Sequence, residues 1–137
     1  ASMAASFAVP EVTLGTICGA GGTQRLPRLI GETRAKEMIF TGREITAETA
    51  REWGLVNGVF TAGSLLEETL NLAEEIARNS PYAVTRAKRS VNGGREMLLE
   101  EALEWERSLF GECGESRDRK EGMMAFLEKR PRVFTGE

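Results

Sequence analysis

Histidine is absent from this chain. That removes Ser-His-Asp and Cys-His nucleophilic machinery, and the common histidine-based metal sites, from this stretch of sequence. Any proton transfer performed here falls to carboxylates or lysines. Cysteine is scarce: Cys18 and Cys113 lie far apart without Cys-x-x-Cys or metal-ligand spacing, so both read as structural thiols, and no disulfide framework or zinc site is expected. No apolar run reaches the ~18 residues of a membrane span, and the N-terminus lacks the basic start, apolar block and cleavage pattern of a signal peptide. Nor does one sign of charge dominate. Lys and Arg number 18 against 21 Asp and Glu, a net charge of -3, mixed along the helical stretches, so there is no basic stripe for nucleic acid or anionic lipid.

What is present suits one ordinary globular domain: 137 residues, 41% hydrophobic and 28% charged. Phe7 and Val9 alternate as in a short strand before Pro10. Thr23 to Ile30 reads as a helix with Pro27 near its first turn and Gly31 as its C-cap, followed by a helix over 32–40 and a third capped by Thr46 and closed at Gly54. Leu55, Val56, Val59 and Phe60 predict a brief strand or extended segment.

The second half reads as helical. Ser64 with Glu67 forms a capping box, after which Leu66, Leu70, Ala73 and Ala77 share a face. Ser80-Pro81 opens a helix expected to break at Asn92-Gly93-Gly94. Leu99, Ala102, Leu103, Leu109 and Phe110 mark the apolar side of a longer helix, and Asp118 with Glu121 resembles the cap of a last one ending at Pro131.

The turn Gly19-Ala20-Gly21-Gly22 precedes a helix, a place where glycines often cradle phosphate. It matches no such fingerprint: Gln24 stands where a dinucleotide site needs a third glycine, and the Gly-Lys-Ser/Thr of a P-loop is missing. The alternative is a turn that sterics alone require.

The carboxylate and the turn occur together in FAVPEVTLGTICGAGGTQRL, residues 7–26. This string resembles the enoyl-CoA hydratase branch of the crotonase superfamily. The similarity continues through RLPRLIGETRAKEMIFTGREITAETAREWGLVNGVF and reappears in SRDRKEGMMAFLEKRPRVF, so it covers practically the whole chain. It implies an α/β fold class, of which this chain is the C-terminal part of a crotonase-like ββα superhelix and predominantly helical: residues 1–63 end the spiral core, and 64–137 form a C-terminal helical trimerisation region.

For chemistry, the resemblance implies hydration of a 2-enoyl-CoA thioester, as in fatty acid metabolism, with two backbone N–H groups stabilising the enolate and two glutamates moving protons. Glu11 matches the glutamate that delivers a proton to the substrate α-carbon; the competing reading is a surface acid at a strand end. Gly19 matches the glycine whose backbone N–H orients the water, against turn geometry alone. Phe110 and Lys129 match positions at the adenine and phosphate end of acyl-CoA, often lent across a subunit contact. Core packing competes for Phe110, and a solvated cation for Lys129. Cys18 stands where many relatives carry proline before the glycine. The oxyanion hole and the other glutamate are expected upstream of residue 1, so the chain alone is expected to be inactive.

An isomerase of the same fold, which needs one positioned carboxylate, and a non-catalytic helical oligomerisation module are the competing functions. The remaining expectations are no metal or redox cofactor, coenzyme A entering only as part of the substrate, homotrimers or hexamers, no nucleic-acid or membrane partner, and the bacterial cytoplasm in preference to the mitochondrial matrix.

Overall fold

A computed structural model describes all residues, 1–137. The chain divides into two compact units, Ala1–Leu70 and Asn71–Glu137. The boundary expected at 63/64 falls in the loop just before the helix that the division cuts.

The first unit begins with β1 (Ser6–Phe7), a 3-10 helix (Pro10–Leu14), α1 (Gly22–Ile30), α2 (Glu32–Thr41), β2 (Ile45–Thr46) and α3 (Ala47–Glu52). The strands pair antiparallel, Ser6 opposite Thr46 and Phe7 opposite Ile45. Two small clusters of buried side chains hold the unit. Cys18, Ile30, Ala35 and Ile39 form one, with Val9, Val12 and Leu26 against it. Met38, Ile45 and Ala50 form the other, and Trp53 and Leu55 pack on both. Burying a side chain the size of Met or Ile contributes ~1.5–3 kcal/mol, so these few residues dominate the unit's stability.

Local signals place most of its boundaries. The Thr46 hydroxyl accepts the Thr49 N–H at the start of α3, and Gly31 and Gly42 end α1 and α2 at positive φ. At Gly42 the conformation and the packing both demand glycine: φ is 63°, and a Cβ would meet Thr13 Cγ2 at 2.9 Å and the Pro10 backbone at 3.3 Å. This close approach seats the 3-10 helix on the end of α2.

Two expectations change here. Pro27 lies inside α1 rather than in its first turn, because the helix already starts at Gly22. The segment 55–60 makes no strand: the N–H groups of Leu55 and Val56 both donate to Ala50 O, closing the end of α3 around Gly54 (φ 80°), and Phe60 alone forms a parallel bridge, to Ser2. Backbone groups already engaged in the helix end cannot serve a ladder.

α4 (Leu65–Ala77) crosses the division, and α5 (Pro81–Gly94), α6 (Leu99–Glu115) and α7 (Arg117–Glu128) build the second unit, α5 packing on α6 and α6 on α7. Ser80 caps α5 as its sequence predicts, accepting the Ala83 N–H at 3.0 Å. The box expected at Ser64 is replaced by Thr61, whose hydroxyl accepts the Ser64 N–H while the Ser64 hydroxyl turns back to Thr61. The apolar face of α4 has the expected spacing but is exposed, Leu66 and Leu70 included.

Nor do the glycines end α5, which runs through Gly94. A Cβ on Gly93 would meet Trp105 Nε1 at 2.9 Å, so glycine there admits the indole of α6. The cap of α7 is Ser116, which accepts the Arg119 N–H at 3.0 Å, and not Asp118. Asp118 is 2% exposed and accepts the Ser80 hydroxyl at 2.6 Å and the N–H groups of Thr135 and Gly136 at 2.8 and 3.1 Å. Burial opposes its charge, but these donors and the Tyr82 N–H outweigh that and lower its pKa.

Candidate active site

Glu11 sits on the 3-10 helix, whose entry is fixed by Pro10 and whose exit turns through Gly15 at φ 75°. Val9 and Val12, on either side of Glu11, pack on the same cluster that buries Cys18, the residue before Gly19. One small core therefore anchors both the carboxylate segment and the glycine turn. Glu11 is half-buried, and its Oε2 is shielded from solvent without accepting a hydrogen bond from the chain. A shielded carboxylate oxygen that no group of the chain engages calls for a partner from outside the chain, a water, an ion or a ligand.

The glycine turn resolves residue by residue. Its carbonyls close it internally: Gly22 N–H donates to Gly19 O at 2.9 Å, and Gln24 and Arg25 N–H donate to Gly21 O at 3.0 and 2.8 Å. These donors are not left open for a phosphate. Gly21 is required by φ 81°, and Gly22 by Cys18 Sγ, which would lie 2.9 Å from a Cβ. Ala20 adopts φ 52°, a conformation that costs a non-glycine residue ~1–2 kcal/mol. Gly19 differs from both: its φ is ordinary, nothing lies within 4 Å of the place a Cβ would take, and its N–H donates to no other group of the chain.

Phe110 and Lys129 belong to the second unit. Phe110 is 76% exposed on α6, so the core-packing reading does not describe it; Leu109 beside it takes that role at 2% exposure. Lys129 follows α7 in the left-handed conformation, φ 53°, and forms no ion pair. It lines a cavity of about 970 Å³ together with Phe126, Arg130, Pro131, Arg132 and Phe134.

Glu121 and Arg130 form a pair that no sequence pattern marks. Arg130 Nη1 and Nη2 reach the two Glu121 oxygens at 2.6 and 2.8 Å, and its Nε reaches Glu128 at 2.6 Å. The Arg130 fork and the Val133 N–H draw the Glu121 carboxyl down to about 2, and the two carboxylates hold Arg130 firmly charged. Their spacing of nine residues fits no helical pairing rule, which is why no local signal marked them. No group of three or more His, Cys, Asp or Glu side chains is gathered as a metal ion would need.

A helical chain carrying a shielded carboxylate ahead of a glycine turn belongs, by its family match, with the acyl-CoA proteins: residues 1–137 match the enoyl-CoA hydratase/isomerase model throughout, and the chain is a member of that family. Among particular relatives it is 48% identical to the mitochondrial enoyl-CoA hydratase of Pongo abelii, over 95% of this chain and 45% of the relative. It is 45% identical to the 2,3-dehydroadipyl-CoA hydratase of Escherichia coli K12, over 96% of this chain and 52% of that one. The crystal structure of an enoyl-CoA hydratase from Bacillus anthracis superposes with a TM-score of 0.95 at 46% identity, covering 99% of this chain and 53% of that structure. The fold is thus that of the C-terminal part of a crotonase, and the chain spans about half the length of these relatives. Relatives occur in bacteria and in mitochondria, and no helix of the chain is long and apolar enough to cross a membrane.

Proposed function

We propose that this chain is the C-terminal half of an enoyl-CoA hydratase that adds water across the double bond of a 2-enoyl-CoA thioester. The observation that carries the reading is Glu11 Oε2, shielded and unengaged on a segment that shares its core with the glycine turn. In this reading the water oxygen bonds to the substrate β-carbon and its proton passes to a glutamate supplied upstream of residue 1. Glu11 gives a proton to the α-carbon, so the double bond is saturated and charge balances. Donors upstream of residue 1 stabilise the enolate oxygen, and the Gly19 N–H holds the water. The absence of any packing or conformational need for glycine at 19 supports a role toward something outside the chain.

Phe110 and Lys129 receive the nucleotide end of the substrate, the exposed ring offering a stacking face and the unpaired ammonium a charge for phosphate. Coenzyme A enters only as part of the substrate, and no separate cofactor takes part. The exposed apolar faces of α4 and α6 fit assembly into homotrimers or hexamers, the place of action is the bacterial cytoplasm, and the chain by itself is inactive. The test is hydration of a short 2-enoyl-CoA by the full-length protein and its Glu11→Gln variant. A loss of 10²–10⁴-fold in kcat is the rough scale for a general acid, and an unimpaired variant overturns the reading. A parent protein that moves a 3-enoyl double bond without hydrating a 2-enoyl-CoA would place the protein among the isomerases of this fold.

A further inference from the structure

Lys129 occupies a position where helices ordinarily place glycine. Arg130 N–H donates to Ala125 O at 3.0 Å and Lys129 N–H to Phe126 O at 3.3 Å, the paired bonds of a Schellman ending, whose left-handed residue is Lys129. A lysine there is strained, and something must hold it.

Glu121 grips the chain at two points just beyond the bend. Its carboxylate takes the Arg130 guanidinium in a two-pronged fork, and its Oε1 also accepts the Val133 N–H at 2.9 Å. Residue 130 is thereby folded back along α7 and residue 133 is tied down beyond Pro131, a bracket that leaves Lys129 as the outward corner. The bracket also sorts the charges. Arg130 is neutralised by Glu121 and Glu128, while Lys129 has no carboxylate partner on the same cavity wall.

We infer that Glu121, acting through Arg130, is a positioning residue that presents the Lys129 ammonium to the phosphate end of the acyl-CoA substrate. This rests on the proposed role of Lys129. Because a planar fork is what Arg130 offers, lysine at 130 cannot replace it.

The test uses the full-length protein and two substrates, an enoyl-CoA and the matching enoyl-pantetheine, which lacks the nucleotide and its phosphates. Glu121→Gln keeps an acceptor for Val133 but breaks the fork. It is expected to raise KM for the enoyl-CoA about fivefold, the ratio set by weakening one charge-assisted contact, with kcat changed less than twofold and KM for the pantetheine substrate unchanged. Arg130→Lys is expected to do the same, and it stands in if Glu121→Gln does not fold. Lys129→Ala is the control for the underlying reading. If it leaves KM for the enoyl-CoA unchanged, the role of Lys129 falls and this inference with it. If it raises that KM while Glu121→Gln and Arg130→Lys match the parent protein, the positioning role alone is overturned. A rise in KM for both substrates alike also overturns it, because that marks a merely structural bracket.

Discussion

The two units of this chain treat buried and half-buried carboxylates in opposite ways. In the first, Glu11 has a shielded oxygen that the chain leaves without a donor. In the second, Asp118 and Glu121 are saturated, by a hydroxyl and backbone N–H groups in one case and by an arginine fork and an N–H in the other. Saturation lowers the pKa of both and ties the tail 133–137 to α7, so those groups hold structure. In the proposed function Glu11, with nothing in the chain to hold, serves the chemistry, while the saturated pair holds structure.

The sharpest way to break that contrast is to exchange carboxyl for amide on both sides. Glu11→Gln is expected to remove most hydratase activity of the full-length protein while leaving its stability within ~0.5 kcal/mol, since no bond of the chain is lost. Asp118→Asn is expected to do the reverse, lowering the melting temperature while altering turnover little. Steady-state kinetics and thermal melts on the same two preparations check this, and a destabilised Glu11→Gln protein would remove the distinction.

Next in size is Gly22→Ala. The new methyl would lie 2.9 Å from Cys18 Sγ, in the core that anchors both candidate catalytic segments, and overpacking of this kind costs ~1–3 kcal/mol. Chemical denaturation measures it, and pairing it with Cys18→Ala should restore only part of the loss, because the Cys18 Cβ would still lie 3.1 Å from the new methyl.

Ser80→Ala follows, at ~1 kcal/mol for the lost cap. It also strips Asp118 of its hydroxyl donor and so probes the second unit's carboxylates directly. Their pH signature has a definite sign. Because the folded pKa of Glu121 is depressed from 4.5 to about 2 and that of Asp118 lies below 3.8, their contribution is complete above the unfolded values and is lost as pH falls through the folded ones. Melting temperatures between about pH 5 and 3 should fall less steeply in Glu121→Gln than in the parent protein.

What the sequence disclosed follows the range of the interactions. Thr46, Ser80 with Pro81, and Gly31 are legible because a cap acts within a turn of its own residue. Asp118 resembles a cap in sequence, but Ser116, two positions earlier, fills that role, and the partners of Asp118 lie 38 and 17 residues away. Gly93 resembled a breaker until Trp105, on another helix, explained it. The family string led to Glu11 and Gly19, whereas the bracket at Glu121 and Arg130 depends on a chain reversal that no periodicity encodes.

The smallest expected change in stability is the most informative about the turn. Three glycines stand at 19, 21 and 22, and the structure gives a reason within the chain for two of them: a positive φ at Gly21 and the Cys18 sulfur at Gly22. Gly19 has neither, so Gly19→Ala should leave the denaturation midpoint unmoved, within ~0.5 kcal/mol. If its N–H holds the water, a methyl beside that N–H crowds the site that the water must occupy, and kcat of the full-length protein should fall about tenfold or more. Activity lost without stability would separate a glycine kept for chemistry from its neighbours kept for the turn. Activity and stability both retained would reduce Gly19 to a residue without a role at this site.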